Sequence, residues 1–271
     1  MRQAIFSILV GASTALGAVQ FLPESHHQQF QTFAFFADEQ TGYLVREGNR
    51  GWGSLGTSFA LMEFPDWPGS PQVIFYGAAH TSFRGKTSIV DFATETMDAK
   101  LGIAFEGTVS EKFRFSAGIV HYSGHALDGI LDPSLIGLNL SLDQFIFRLI
   151  YDDGTHWRMG ASFKPVFNSD PGTNLLSGDQ FIEVWPFGIN ANPLSPTPFV
   201  AVSADEGGVN YSSASFHVQL GAYFGNHTEK ERRTVVRFAI GYYNGSDPRT
   251  KYAAFLNSRT HFVYGGVLIT L

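Results

Sequence analysis

Apolar and polar residues alternate one for one over long stretches of this chain. Between residues 97 and 109, one side of an extended backbone carries Ala99, Leu101, Ile103, Phe105 and Val109, and the other Asp98, Lys100, Gly102, Ala104, Glu106 and Thr108. The pattern returns at 215–224, with Phe216, Val218, Leu220, Ala222 and Phe224 opposite Ser215, His217, Gln219, Gly221 and Tyr223. It returns again at 233–243, where Val236, Phe238, Ile240 and Tyr242 oppose Arg233, Arg237, Gly241 and Tyr243. A period of two is the side-chain repeat of a β-strand. Segments of this kind begin near residues 42, 52, 72, 97, 112, 139, 156, 180, 197, 213, 233 and 258. Each is about long enough for the 9 to 11 residues that cross a bilayer at a tilt. Because charges keep to one face, the pattern predicts an all-β fold, a transmembrane antiparallel up-and-down barrel of about 12 strands, within a range of about 10 to 14.

The intervening segments give the barrel a direction. Val109 to Lys112 and Asp152 to Thr155 read as tight turns, whereas Gly124 to Gly137, Asn168 to Asp179 and Asn244 to Asn257 are longer and rich in Gly, Pro, Asp and Asn. Short turns are expected on the periplasmic rim and long loops outside. Val263, Val267, Ile269 and Leu271 alternate to the last residue, the form of a terminal strand that engages the barrel-assembly machinery, although Leu271 stands where Phe is usual. At the other end, Met1 to about Ala18 carries one basic residue, Arg2, then an apolar run and small residues, and reads as a signal peptide over 1–18. Residues 19–41 do not alternate and are expected to form a periplasmic N-terminal stretch whose Phe30, Phe33, Phe35 and Phe36 pack on the barrel, leaving 42–271 as the barrel itself.

Composition narrows the picture further. Twenty-nine glycines, 26 phenylalanines and 10 tyrosines suit a sheet with close approaches and an aromatic exterior. No window after the first twenty residues is apolar enough for a membrane helix. The net charge of −6 is spread without acidic or basic runs, which argues against a nucleic-acid partner. No cysteine is present, so disulfide and thiolate chemistry are excluded. Lys100, Glu106, Arg114, Arg148, Arg158 and Arg237, with Lys164 and Glu183, fall on the polar faces and are expected to line a lumen. About twelve strands enclose too little space for a wide channel, so a narrow or occluded lumen is expected.

Candidate chemistry concentrates in Ile119-Val120-His121-Tyr122-Ser123-Gly124-His125-Ala126-Leu127-Asp128-Gly129. Phe113, Phe115, Ala117, Ile119, His121, Ser123 and His125 share the apolar side of their strand, so two histidines and a serine face lipid near an outer loop. A serine within reach of a histidine oriented by a carboxylate, Asp128 or Asp132, is a minimal arrangement for acyl transfer. The other reading is structural: rim residues, with His125 binding loop backbone or lipid phosphate. His121 and His125 alone do not make a metal site, and no cofactor is implied. The remaining histidines are weaker candidates: His26 and His27 in the N-terminal stretch, His217 toward the lumen, His227 in a turn.

The stretches Phe21-Leu22-Pro23, Phe35-Phe36-Ala37-Asp38, His121 to Asp128, Asn168-Ser169-Asp170-Pro171 and Gly241-Tyr242-Tyr243-Asn244-Gly245 resemble the outer-membrane proteins grouped as domain of unknown function 1207. That resemblance implies an outer-membrane barrel without assigned activity. The barrel pattern itself points to the outer membrane of a Gram-negative bacterium, among lipids that include lipopolysaccharide. Locally, His121-Tyr122-Ser123-Gly124 is similar to the His-Tyr-Ser-Asn motif of lipid A 3-O-deacylases, with Gly124 in place of Asn. That similarity implies His121 as base and Ser123 as nucleophile. Two expectations result: a barrel of structural or small-solute pore class, or a lipid acyl-ester hydrolase of the outer leaflet.

Overall fold

The computed structural model describes residues 18–25, 41–46, 50–85, 92–127, 133–138, 140–170, 172, 176–206, 214–225 and 234–270. The signal segment up to Gly17 and the cluster Phe30, Phe33, Phe35 and Phe36 lie outside them, as do Asp128 and Asp132. The strands are β1 (Gln20–Phe21), β2 (Thr41–Arg46), β3 (Arg50–Glu63), β4 (Gln72–Gly85), β5 (Phe92–Thr108), β6 (Phe113–Ala126), β7 (Leu140–Asp152), β8 (Trp157–Asp170), β9 (Leu176–Val184), β10 (Thr197–Glu206), β11 (Ser215–Phe224), β12 (Val235–Ser246) and β13 (Arg259–Thr270).

Strands β2 to β13 each pair antiparallel with the next, and β13 pairs back onto β2 through Tyr264↔Arg46 to Ile269↔Thr41, closing a twelve-stranded barrel. Closure removes the sheet edges that would otherwise leave backbone N–H and C=O groups unpaired in hydrocarbon. β2 is short, and beyond its reach β1 pairs with β3 through Gln20↔Glu63 and Phe21↔Met62. The N-terminal stretch thus contains a strand pair that alternation alone could not reveal in two residues. The Gln72 side chain donates to the Glu24 carbonyl at 2.8 Å, tying the same stretch to β4.

Alternation sorts the two faces. Leu101, Phe147, Phe163 and Ile240 stand half exposed on the outside, where hydrocarbon rather than water solvates them. Lys100, Glu106, Arg114, Arg158 and Arg237 are buried on the inside, and Arg148 joins them. The lumen is filled by these side chains. Arg158 Nε donates to Glu183 Oε2 at 2.6 Å with both side chains almost fully enclosed, Arg114 Nη1 bonds Asp152 Oδ2 at 3.1 Å, and Asp179 receives both Lys164 and Arg148. Aromatic residues pack between these pairs: Trp52 stacks on Phe262 at 4.9 Å, and the Tyr264 hydroxyl accepts from Gln219 Nε2 and meets His217 Nε2. Two glycines let rings lie flat across the inner wall, Gly102 beneath Tyr76 and Gly241 beneath Tyr264; a Cβ at either would collide with the ring.

Turns Val109 to Lys112 and Asp153 to His156 lie on the rim that also holds the end of β13, and the β6–β7, β8–β9 and β12–β13 connections lie on the opposite rim. Length does not separate the rims as cleanly as expected, since 185–196 and 225–234 lie beside the tight turns. The outer connections are also more structured. β8 runs through Asp170 and β12 through Ser246, and the last connection contains helix α1 (Thr250–Leu256). Tyr252 of α1 packs with Leu135, Ala126 and Phe255. With seven residues and no side-chain cap, α1 depends on this packing and leaves little sequence trace.

Replacing Glu183 by Ala removes the carboxylate that Arg158 Nε donates to in the lumen. The expected loss is about 3–5 kcal/mol of unfolding free energy, the usual cost of orphaning one member of a buried ion pair, read from urea unfolding of the refolded barrel. A loss under about 1 kcal/mol, the value for exposed pairs, would show that water reaches Arg158.

Candidate functional site

β6 turns its odd-numbered residues outward. Its partners on both sides are in register: His121 lies between Leu101 and Asp143, and Ser123 between Ala99 and Ser141. Residues directly opposite in an antiparallel ladder share a face, so the register brings Asp143 and Ser141 of β7 to the outer surface beside the β6 motif. Ser123 is thereby flanked by two small residues, which keep its hydroxyl accessible.

The third strand contributes through an irregularity. The β7–β8 ladder runs Asp143↔Asn168 and then Gln144↔Val166, leaving Phe167 as an extra residue. Val166 is buried toward the lumen, whereas Phe167 and Asn168 are both exposed on the outside. In an unbroken ladder Asn168 would point the same way as Val166. The bulge reverses that and aims its amide at Asp143, as bulges beside functional sites do.

The resulting chain of contacts is short. His121 Nδ1 lies 2.6 Å from Asp143 Oδ1, and Asn168 Nδ2 donates to Asp143 Oδ2 at 2.7 Å. Both carboxylate oxygens are engaged. An ionised carboxylate only accepts, so the proton between it and the ring belongs to Nδ1. In the neutral imidazole this leaves the Nε2 lone pair free to act as a base. Ser123 Oγ lies 3.3 Å from His125 Nε2. One serine therefore sits between two histidines on the same strand face, one oriented by a carboxylate and the other in contact with the hydroxyl.

The patch lies at the top of the apolar wall. Ile119, Phe145 and Phe167 form the exposed surface beneath it, with Leu101 beside His121 and Phe145 against Phe167 at a ring distance of 4.8 Å. Ser123 is three residues from the end of β6. The His121 side chain remains 45% exposed and that of Asp143 23%, so a molecule embedded in the outer leaflet can reach both.

The sequence motif supplied His121, Ser123 and His125, and the structure sets all three on the outer wall. Asp128 and Asp132 lie outside the described residues; among the described residues the carboxylate at His121 is Asp143, one strand away. Asp143 and Asn168 escaped the sequence reading. The signal for Asp143 is a charged residue on the face that otherwise carries Phe145, Phe147 and Leu149. For Asn168 it is Pro165 within β8, a residue that cannot donate to a ladder and that marks irregular strands. His217 is buried in the lumen against Tyr264 and belongs to the packing there. Among the described residues no group of three His, Asp or Glu side chains is placed to hold a metal ion.

No protein-family model matches the chain, and no curated protein shows significant sequence similarity to it. Solved structures do match. Outer membrane phospholipase A from Escherichia coli aligns over 89% of this chain and 99% of its own, with a TM-score of 0.56 and 12% identity. The Salmonella typhi outer membrane phospholipase dimer with bound calcium aligns over 91% and 96%, with a TM-score of 0.57 and 12% identity. An active-site asparagine-to-alanine variant of the Escherichia coli phospholipase, at pH 6.1, aligns over 90% and 95%, with a TM-score of 0.54 and 12% identity. At such identities the likeness is one of fold: this chain has the closed barrel of bacterial outer-membrane proteins.

The contact between His121 and Asp143 is measurable without any substrate. A double-mutant cycle of His121→Ala and Asp143→Ala in urea unfolding is expected to give a coupling of about 0.5–1 kcal/mol, modest because both groups are partly exposed. Additive losses would mean that the two side chains do not hold each other.

Proposed function

We propose that the protein is a lipid acyl-ester hydrolase of the outer leaflet in a Gram-negative outer membrane, working from the outer wall of its barrel. The observation that carries this reading is the His121–Asp143–Asn168 chain beside Ser123. Four polar side chains on a surface that meets hydrocarbon are costly, and here they are arranged as a nucleophile, a base and the groups that orient the base.

In this reading Ser123 Oγ attacks the ester carbonyl carbon as His121 Nε2 takes its proton. Ser123 Oγ rests against His125, so the step requires a change of its χ1 rotamer toward His121, and contacts of this kind commonly tighten only with substrate bound. The C–O bond of the tetrahedral intermediate breaks, His121 returns the proton to the departing alcohol, and the acyl group stays on Ser123. A water, deprotonated by His121, then releases the fatty acid. Asp143 holds the ring through Nδ1 and stabilises the imidazolium, and Asn168 fixes Asp143. His125, the nearest further donor, is assigned to the carbonyl oxygen or the lipid phosphate. The acyl chain lies along Ile119, Phe145 and Phe167, within the leaflet.

The fold of the phospholipases is consistent with this assignment, and a structure of one of them is described as an active-site asparagine variant. The assignment here rests on this chain's own geometry. Membership of the domain-of-unknown-function 1207 group, the likeness to lipid A deacylases, assembly through the C-terminal strand, and lipopolysaccharide as neighbour or substrate belong to the same reading. The side-chain-filled lumen leaves a wide channel without support.

The test uses the refolded full chain in mixed micelles, with glycerophospholipid and lipid A offered separately and fatty acid release measured. Ser123→Ala and His121→Ala are each expected to lower release by ~10³-fold or more, the scale of losing one member of such a triad. Asp143→Ala is expected to cost less. Heat-modifiable gel mobility checks that each variant is folded. No release from either lipid by the parent protein, or full release by folded Ser123→Ala, would overturn the proposal.

A further inference from the structure

Away from the candidate ester site, the outer end of the lumen gathers four arginines. Arg46 ends β2, Arg50 begins β3, Arg84 lies near the end of β4, and Arg249 stands just before α1. Arg46, Arg50 and Arg84 are on the inner face, in phase with the buried Leu44, Trp52 and Ser82. Two carboxylates face them. Glu95 is the extra residue of a bulge in the β4–β5 ladder, where Ser82 pairs with Thr96 and Phe83 with Thr94. The bulge turns Glu95 inward, where it is 1% exposed. The second carboxylate is Asp247.

Arg249 uses most of this negative charge. Its Nε and Nη2 donate to Asp247 at 2.9 and 2.6 Å, its Nη1 donates to Glu95 Oε2 at 3.0 Å, and its guanidinium lies over Tyr252 at 3.7 Å. The other oxygen of Glu95 is 3.7 Å from Arg50 Nη2 and 3.9 Å from Arg84 Nε. Both lengths exceed hydrogen-bond reach, and that oxygen accepts no hydrogen bond. Arg46 donates to Thr260 Oγ1 at 3.4 Å and rests against the rings of Phe262 and Trp52 at 5.0 and 5.5 Å. Its Nε, like that of Arg84, is buried without an acceptor. Among the described residues, four guanidinium charges thus share two carboxylates, whose hydrogen bonds from these arginines come from Arg249 while Arg50 and Arg84 stand at longer ion-pair distances.

Buried charge normally finds a partner, and buried donors normally find an acceptor. A guanidinium presents a planar fork of donors that matches the oxygens of an oxyanion. We propose that Arg46, Arg50 and Arg84 form a binding site for a soluble oxyanion, with phosphate as the simplest member of the class, entering the lumen from its outer mouth. Arg50 and Arg84 keep side-chain exposures of 24% and 33%, so an anion reaches them without passing the filled interior below. The third guanidinium, Arg46, closes the site from within on its aromatic support. The same oxygens could belong to a lipid phosphate, but the inner face of a closed barrel is separated from the leaflet by the wall, which selects a solute.

The test titrates the refolded full chain in uncharged detergent with sodium phosphate, at constant ionic strength made up with chloride, reading heat of binding and the urea midpoint. Saturable binding and a midpoint raised by phosphate but not by chloride are expected. Arg84→Gln is expected to weaken binding about tenfold or more, as loss of one charge-assisted contact does. Because it removes a like charge from the cluster, it should not lower the phosphate-free midpoint. Arg50→Gln gives the same prediction from a neighbouring strand, should Arg84→Gln fail to fold. Equal responses to chloride and phosphate, or unweakened binding by both variants, would overturn the proposal. So would a response seen only when an anionic phospholipid is added to the micelles, since that would put the phosphate on the lipid side.

Discussion

Everything in this molecule follows from pairing β13 with β2. Hydrocarbon offers no hydrogen bonds to a backbone, so a sheet in a membrane must satisfy every ladder group within the protein, and only a closed sheet does so. Closure then dictates composition. One side of each strand meets lipid and becomes apolar; the other meets the interior and becomes polar. The interior of this barrel is narrow enough that its charges meet as Arg158 with Glu183 and Arg114 with Asp152 rather than across water. The protein is folded inside out relative to a soluble domain, with ion pairs in the core and phenylalanines such as Phe145, Phe147 and Phe163 outside.

Against that rule, polar side chains on the outer wall stand out. His121, Ser123, His125, Asp143 and Asn168 occupy positions that, a few residues lower on the same strands, belong to Ile119, Phe145 and Phe167. Two backbone features aim polar side chains against the regular alternation. The β8 bulge turns Asn168 out to Asp143, and the β5 bulge turns Glu95 in to the arginines. Each sits where a polar cluster would otherwise lack one member. The two clusters lie on opposite faces of the wall near the same rim, one open to lipid and the other to solute.

Much of the architecture was legible because a period of two survives in the sequence wherever a strand separates lipid from lumen. Starts expected near 52, 72, 112, 139, 156 and 197 fall within two residues of those of β3, β4, β6, β7, β8 and β10. What was not legible required register. Nothing local in the sequence says that Asp143 stands beside His121; that follows only from the β6–β7 ladder. Asn168 was hidden more deeply, since its parity assigns it to the lumen and only the bulge reverses it. Helix α1 was missed because seven residues held by Tyr252 against Leu135 carry no amphipathic stripe of their own.

Reactivity of the Ser123 hydroxyl tests the central claim most directly. The refolded barrel would be treated with an alkyl fluorophosphonate, which modifies serines only where a neighbouring base activates them, and the adduct located by peptide mass spectrometry. The account predicts one major adduct, on Ser123, strongly reduced in His121→Ala and diminished in Asp143→Ala. An unmodified Ser123 in the folded parent protein, or labelling that survives loss of His121, would contradict it and return the outer patch to the structure of the rim.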